Sequence, residues 1–539
     1  TVRRAVVMGY SLTPALRLLL LEAERDEQEN DAKENCLIRF SMNLVLKAKS
    51  AKRPQMLRES APIIERVQKQ ENEKVARDLG KLGIDWSVGK DKGPSNVSVK
   101  ARTSAGNKPA KAGDPLSLEV SVTNEGKNTL YQLRGNTSSD NFLFDGREVV
   151  FGKLEPGETR TWTTTLGQCL TEDDERVCRL PRATIDRADG IRIEFEEAHG
   201  HVPEPVEVRT LIEALPKPRF AYSIQVADNI KGNGDGLVQP GEQVTVYFTA
   251  KNVGEADSLA VQANIQNKSG HGVLLYDGRF EREEGIKRGE EWVVPFTFDV
   301  SPDFEEDEAT LMLGVVDAEL NAVAGQKLVI AISRAPESVT KAPKGAMVSL
   351  ASGTQILATP SASAPPVGRL KSDVEVPLEA TRGEFSRVDL GDGRPGWVRS
   401  SEADRTKGPR TKVALDWETP NGSPLISLEG LDGLATTSDT IRLRGEATDS
   451  QQVRDVYITT SGHKVFYESN EASSNPRELT FDAEVPLRPG LNTIMVAARE
   501  DPVTVTRHYF VVRRDGEKGE LLETKKFEGA LLGNGNGVH

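Results

Sequence analysis

Ala112-Gly113-Asp114-Pro115-Leu116-Ser117-Leu118-Glu119-Val120-Ser121-Val122-Thr123-Asn124-Glu125-Gly126 decides the fold of this chain, because the pattern returns further on. The second copy reads Pro240-Gly241-Glu242-Gln243-Val244-Thr245-Val246-Tyr247-Phe248-Thr249-Ala250-Lys251-Asn252-Val253-Gly254. Gly113 recurs as Gly241, Asn124 as Asn252 and Gly126 as Gly254, each 128 residues later. Leu116, Leu118, Val120 and Val122 alternate with polar residues, as do Val244, Val246 and Phe248, so each copy predicts a strand with one face in a core. Asn-x-Gly is turn chemistry. Downstream, Phe144-Asp145-Gly146-Arg147 matches Tyr276-Asp277-Gly278-Arg279, and Pro156-Gly157-Glu158 matches Arg288-Gly289-Glu290. A repeat of this length is a domain-sized unit. Residues 93–216 and 217–337 are therefore two related immunoglobulin-like sandwiches.

Composition agrees with a chain of small β-domains. Its 539 residues exceed one core and suggest about three to five units. Only 37% of residues are hydrophobic and 5% aromatic, while Gly (47) and Pro (29) are abundant, which suits many short strands and turns. The net charge of −13 repels phosphate backbones and disfavours nucleic acid as a partner. The greasiest run, Leu18–Leu21, is flanked by Arg17 and Glu22 and falls far short of a membrane span.

Outward from the sandwiches, residues 1–92 read as a helical segment. Ile64, Val67, Val75, Leu79 and Leu82 form one apolar stripe, and Gly83 followed by Ile84 reads as a helix stop. Such helices cannot cover their own apolar faces, so they are expected to pack on something upstream of Thr1. Residues 413–515 show further strands of a third sandwich, and 516–539 turn charged and then Gly- and Asn-rich, the composition of a disordered tail.

Residues 342–408 resemble a bacterial Src-homology-3-like barrel through three runs: Val367-Gly368-Arg369-Leu370-Lys371, Gly383-Glu384-Phe385-Ser386-Arg387-Val388, and Asp392-Gly393-Arg394-Pro395-Gly396-Trp397-Val398. The resemblance implies peptide or cell-wall-peptide binding at Phe385 and Trp397; a structural spacer with Trp397 in its core is the competing reading. The fold class is thus mainly β and multidomain: a helical N-terminal segment, immunoglobulin-like sandwiches and one small barrel.

Two further sites stand out. Asp228, Asn233, Asp235 and Glu242 place oxygen ligands around Gly232, Gly234 and Gly236, a candidate calcium loop. The spacing is not that of an EF-hand, and Asn-Gly and Asp-Gly pairs are also ordinary turns. Cys169 and Cys178 flank a short acidic turn and are candidates for a disulfide, with two free thiols the alternative. His199 and His201, beside Glu196, Glu197 and Glu204, read as a solvated acidic loop before a metal site. Ser361 and Ser363 precede Pro365-Pro366, which favours an extended loop over a nucleophile turn. The segments contain no phosphate loop, zinc spacing or nucleophile elbow.

Lys52-Arg53-Pro54-Gln55-Met56-Leu57-Arg58-Glu59-Ser60-Ala61 and Leu79-Gly80-Lys81-Leu82-Gly83-Ile84-Asp85-Trp86-Ser87, followed by the first sandwich, resemble the region downstream of the protease core in large bacterial carboxyl-terminal processing peptidases (tail-specific serine proteases). That family carries a peptide-binding domain and a Ser–Lys dyad, and neither has a counterpart here, so no catalytic residue is assigned. The resemblance implies an accessory region of a secreted or periplasmic peptidase, with an upstream protease core and polypeptide substrates as partners. The alternative is a stand-alone envelope adhesion or scaffold protein.

Overall fold

The computed structural model describes residues 73–172, 175–228, 231–429, 433–502 and 504–524. The chain is mainly β and multidomain, as expected. In the first sandwich, a sheet of Val97–Thr103, Leu116–Asn124 and Thr159–Leu166 faces one built on Leu130–Ser138, Glu148–Leu154, Arg187–Glu196 and Val206–Glu213. Leu116, Leu118, Val120 and Val122 are fully buried between the layers with Phe144, Phe151 and Ile191. Alternation in the sequence thus becomes alternation between core and solvent.

The repeat extends to its hydrogen bonds. Asn124 and Asn252 are both fully buried. Asn124 Nδ2 donates to the carbonyls of Asn128 and Leu154, and Asn252 Nδ2 donates to those of Ala256 and Ile286. The Oδ1 of each accepts from the glycine two residues on, Gly126 or Gly254. Each main chain also closes on the paired turn, through Glu158 and Gly157 in one copy and Glu290 and Gly289 in the other. What reads as turn chemistry is a buried clasp that ties three loops.

In the second sandwich, a five-stranded sheet runs in the order Val273–Leu275, Glu291–Val300, Gln243–Asn252, Phe220–Ala227, Asn421–Gly422. It faces Arg279–Arg282, Val261–Asn267, Glu308–Asp317 and Ala322–Ala331. Here the one-faced expectation fails. Residues 243–250 are buried without a break, Thr245, Tyr247 and Thr249 included, because the third unit covers the outer face.

That third unit is a single sheet running Asp404–Thr406, Met347–Leu350, Val374–Arg382, Phe385–Gly391, Arg394–Arg399, Gln355–Leu357, Pro366–Leu370, Leu415–Trp417. It packs its own core of Val348, Leu350, Ile356, Val376, Val388 and Val398. Its end strands do not pair with each other, so the described ladder is open and not a closed barrel. The first residues of the expected last sandwich, 413–515, belong elsewhere: Leu415–Trp417 completes this sheet, and Asn421–Gly422 adds to the edge of the second sandwich.

The last sandwich sets Leu425–Glu429, Thr440–Thr448 and Glu478–Pro486 against His463–Ser469, Asp455–Thr460, Gly490–Arg499 and Val505–Arg514. Val505–Arg514 lies parallel to Arg187–Glu196 of the first sandwich, with Val511 opposite Arg187 and its N–H on the Asp186 carbonyl at 2.9 Å. One ten-stranded sheet therefore runs through both domains. Residues 516–524, expected to be disordered, lie along this junction. Leu521 N–H meets Glu207, Arg513 reaches the Leu522 carbonyl, and Leu491 N–H meets Thr524.

Of the N-terminal stripe, Ile64 and Val67 lie outside the described residues. Residues 73–81 are helical. Gly83 has a φ of 76°, and Ile84 N–H returns to the Leu79 carbonyl at 3.0 Å, burying Ile84 as the stop signal predicts. Val75 and Leu82 are exposed.

Candidate functional site

The two sites singled out in the sequence meet. The loop from Asp228 to Glu242 belongs to the second sandwich and Phe385 and Trp397 to the curled sheet, yet they adjoin at the junction of the two units. Phe385 and Trp397 are 8% and 2% exposed and pack with Leu357. A Cβ at Gly236 would stand 2.6 Å from Pro360 and 3.7 Å from the Trp397 Nε1. The aromatic side of the curled sheet is thus closed by the glycine turn of the neighbouring domain.

Arginines of the curled sheet hold that turn. Arg387 Nη1 donates to the Gly234 carbonyl and Arg382 Nη1 to the Asp235 carbonyl. Arg387 Nε also meets Glu379 at 3.0 Å, and its guanidinium lies over the Trp397 ring. Gly234 and Gly236 have φ values of 76° and 81°, which few other residues adopt without strain.

Within the turn the carboxylates are spent on nearby donors. Asp235 accepts from the N–H groups of Leu237 and Glu337 and from the side chains of Asn233 and Gln239. Glu242 accepts from Asn233 N–H and Gln239 N–H, both at 2.9 Å, and Asp228 from Gly236 N–H. Burial pushes the Asp228 and Glu242 carboxyls above the usual range, with Asp235 adding to both and main-chain N–H groups opposing. Among the described residues no group of three or more His, Cys, Asp or Glu side chains is arranged to hold a metal ion. The turn as folded is a hydrogen-bonded joint, and the oxygens of Asp228, Asn233, Asp235 and Glu242 would have to exchange these donors to take calcium.

Arg394, which sequence reading passed over, fills the rest of the junction. It is 5% exposed and sits between the rings of Trp417 and Tyr247, at 4.0 and 5.0 Å. Its Nε donates to Gln225 Oε1 at 2.7 Å, while Gln225 Nε2 donates to the Pro395 carbonyl at 2.7 Å. Burial pulls the guanidinium below its ordinary range. Arg382, Arg387 and Arg394 lie on three consecutive strands, and that clustering of cations in an acidic chain was the available signal.

The remaining candidates are dispersed. Ser361 and Ser363 hydrogen-bond to each other. His199 Nε2 meets the Gly89 carbonyl at 3.0 Å and His201 Nε2 meets Asp91 at 2.8 Å, so both fasten the incoming segment to the first sandwich. Cys169 and Cys178 are cross-strand neighbours joined by a disulfide.

No protein family model and no curated relative matches the chain. Solved structures similar to the chain include the following three, each at low TM-score. A Ca2+-stabilized adhesin that helps an Antarctic bacterium reach out and bind ice is 10% identical, with 78% of this chain and 99% of that chain covered and a TM-score of 0.19. A 1.5-MDa bacterial ice-binding adhesin is 9% identical, with 79% and 98% covered and a TM-score of 0.18. Red sea bream transglutaminase is 12% identical, with 49% of this chain and 34% of that chain covered and a TM-score of 0.17. At these scores the likenesses carry no functional argument.

Proposed function

We propose that the chain is the non-catalytic accessory region of a secreted or envelope-located serine peptidase, a β-platform that binds and presents polypeptides. The supporting observation is the return of the chain on itself: Val505–Arg514 lies beside Arg187–Glu196 in one sheet. The segment arriving from the helical head is fastened to the same first sandwich, by His199, His201 and the Gln132 side chain on the Trp86 carbonyl. The segment at Trp86 and the strand at Val511 therefore meet on one domain. A spacer that reaches across a gap needs its ends apart, whereas a platform docked through its head gains stiffness from convergent ends. Val75 on the helix that precedes the platform and Leu82 in the turn after it are exposed and suit contact with a further body such as a protease core.

The test pairs binding with turnover. Fluorescence anisotropy of a permanently unfolded reporter polypeptide should rise with the full chain, while the reporter stays intact on gels. Steady cleavage would overturn the non-catalytic assignment. Retention on isolated cell envelopes with no binding of the reporter would favour the stand-alone adhesion reading.

A further inference from the structure

One face of the last sandwich differs from the rest of the surface. Three of the eight tyrosines fall on it: Tyr457, Tyr467 and Tyr509. Tyr457 stands opposite Tyr467 on one side and Ala497 on the other, and Ala497 stands opposite Arg507. One row along, Met495 lies between Thr459 and Tyr509. Directly opposed residues share a face, so the Tyr457–Tyr467 pair and Tyr509 stand on one surface, two strands apart, with Ala497 fully covered between them. Two strand spacings set the strand of Tyr509 roughly 10 Å from that of Tyr457, about two sugar units. Tyr467 and Tyr509 are 50% and 42% exposed.

Cations frame the tyrosines. Lys464 Nζ lies 4.9 Å from the ring centre of Tyr457 and 5.4 Å from that of Tyr467, and the Arg499 guanidinium lies 5.3 Å from Tyr457. Asp455 neutralises Arg499 through contacts of 2.6 and 2.8 Å. Among the described residues no carboxylate forms an ion pair with Lys464 or Arg507. A chain of net charge −13 thus presents a cationic, aromatic face. Its long-range repulsion of an anion is screened within about 8 Å at physiological salt, so the local cations decide.

We propose that this face binds an acidic polysaccharide, whose sugar rings lie on Tyr457, Tyr467 and Tyr509 and whose carboxylate or sulfate groups meet Lys464 and Arg507. A sugar ring offers a C–H face to a phenol while its hydroxyls stay in water. An extended peptide turns successive side chains to opposite sides and so presents no continuous row of flat C–H faces to the rings. The assignment is independent of the peptidase reading.

Calorimetric titration of the full chain tests it, with alginate oligomers as the uronate probe, neutral dextran oligomers of equal length, and polyglutamate. Alginate should bind, and dextran and polyglutamate at least tenfold more weakly. Tyr467→Ala, Tyr509→Ala and Arg507→Glu should each weaken alginate binding at least tenfold with an unchanged melting temperature. Polyglutamate binding as tightly as alginate would make the face an acidic-peptide site and overturn the proposal. So would alginate binding that survives all three substitutions, or no alginate binding by the parent chain.

Discussion

Arg209 donates through Nε to the Oδ2 of Asp515 at 2.9 Å, across 306 residues of chain. Asp515 also accepts from Arg513 Nε at 2.9 Å, and both residues of that second pair are almost wholly buried. Asp515→Ala leaves the buried Arg513 guanidinium with the Leu522 carbonyl and a distant Asp140, 4.0 Å away. The cost should be about 3 kcal/mol, as for other buried pairs broken on one side. Urea unfolding should show the first and last sandwiches losing stability together. Loss confined to the last sandwich would mean that the shared sheet does not couple them.

The twin clasps make a matched pair of tests. Asn124→Ala takes the side-chain donor from the Asn128 and Leu154 carbonyls and should cost about 2–3 kcal/mol, whereas in Asn252→Ala the Ile286 carbonyl keeps the Ser258 N–H and hydroxyl. The Asn124→Ala midpoint should shift further than the Asn252→Ala midpoint, each in its own domain. A change below about 0.5 kcal/mol in either would show that water replaces the amide there.

Gly236→Ala adds a Cβ at positive φ, 2.6 Å from the Pro360 ring. The strain is worth about 1–3 kcal/mol and acts on the junction between the second sandwich and the curled sheet. Trp397, now 2% exposed, should move its emission to the red as the joint loosens. An unshifted spectrum would place Trp397 in the core of the curled sheet independently of the turn.

Calcium has one decisive titration. Any calcium-dependent rise in melting temperature is expected to vanish in Asp235→Ala, because Asp235 is the most deeply buried of the loop carboxylates. A rise that persists would move the site elsewhere. A flat response in the parent would leave the loop a joint.

Glu500 supplies a pH signature. Burial first, then Asp449 and Asp501, push its carboxyl from 4.5 up to about 7. Between those values the folded chain holds a proton that the unfolded chain has lost, so stability falls as pH rises through this window. Glu500→Gln should remove that slope, and its stability relative to the parent should rise from pH 4.5 to pH 7. A constant difference across the window would show that Glu500 titrates normally.

Leu116 to Asn124 and its copy could be read as strands because alternation is local: each residue's side follows from its neighbours. Gly83 and Ile84 were legible as a helix stop for the same reason. The Asn-x-Gly pairs were legible as turns, but not as clasps, because the carbonyls they hold come from loops some thirty residues away. Phe385 and Trp397 read as a groove, and only packing shows that another domain's turn closes it. No periodicity could have shown that Tyr247 and Thr249 are buried, or that Arg394 lies between two rings, since the covering surface comes from residues well over a hundred positions on. The sequence by itself therefore determined the strands, their inner faces and the repeat. The shared sheet at Val511, the open ladder and the joint at Gly234 were decided only by tertiary structure, because each depends on backbone edges and charges that meet across domains.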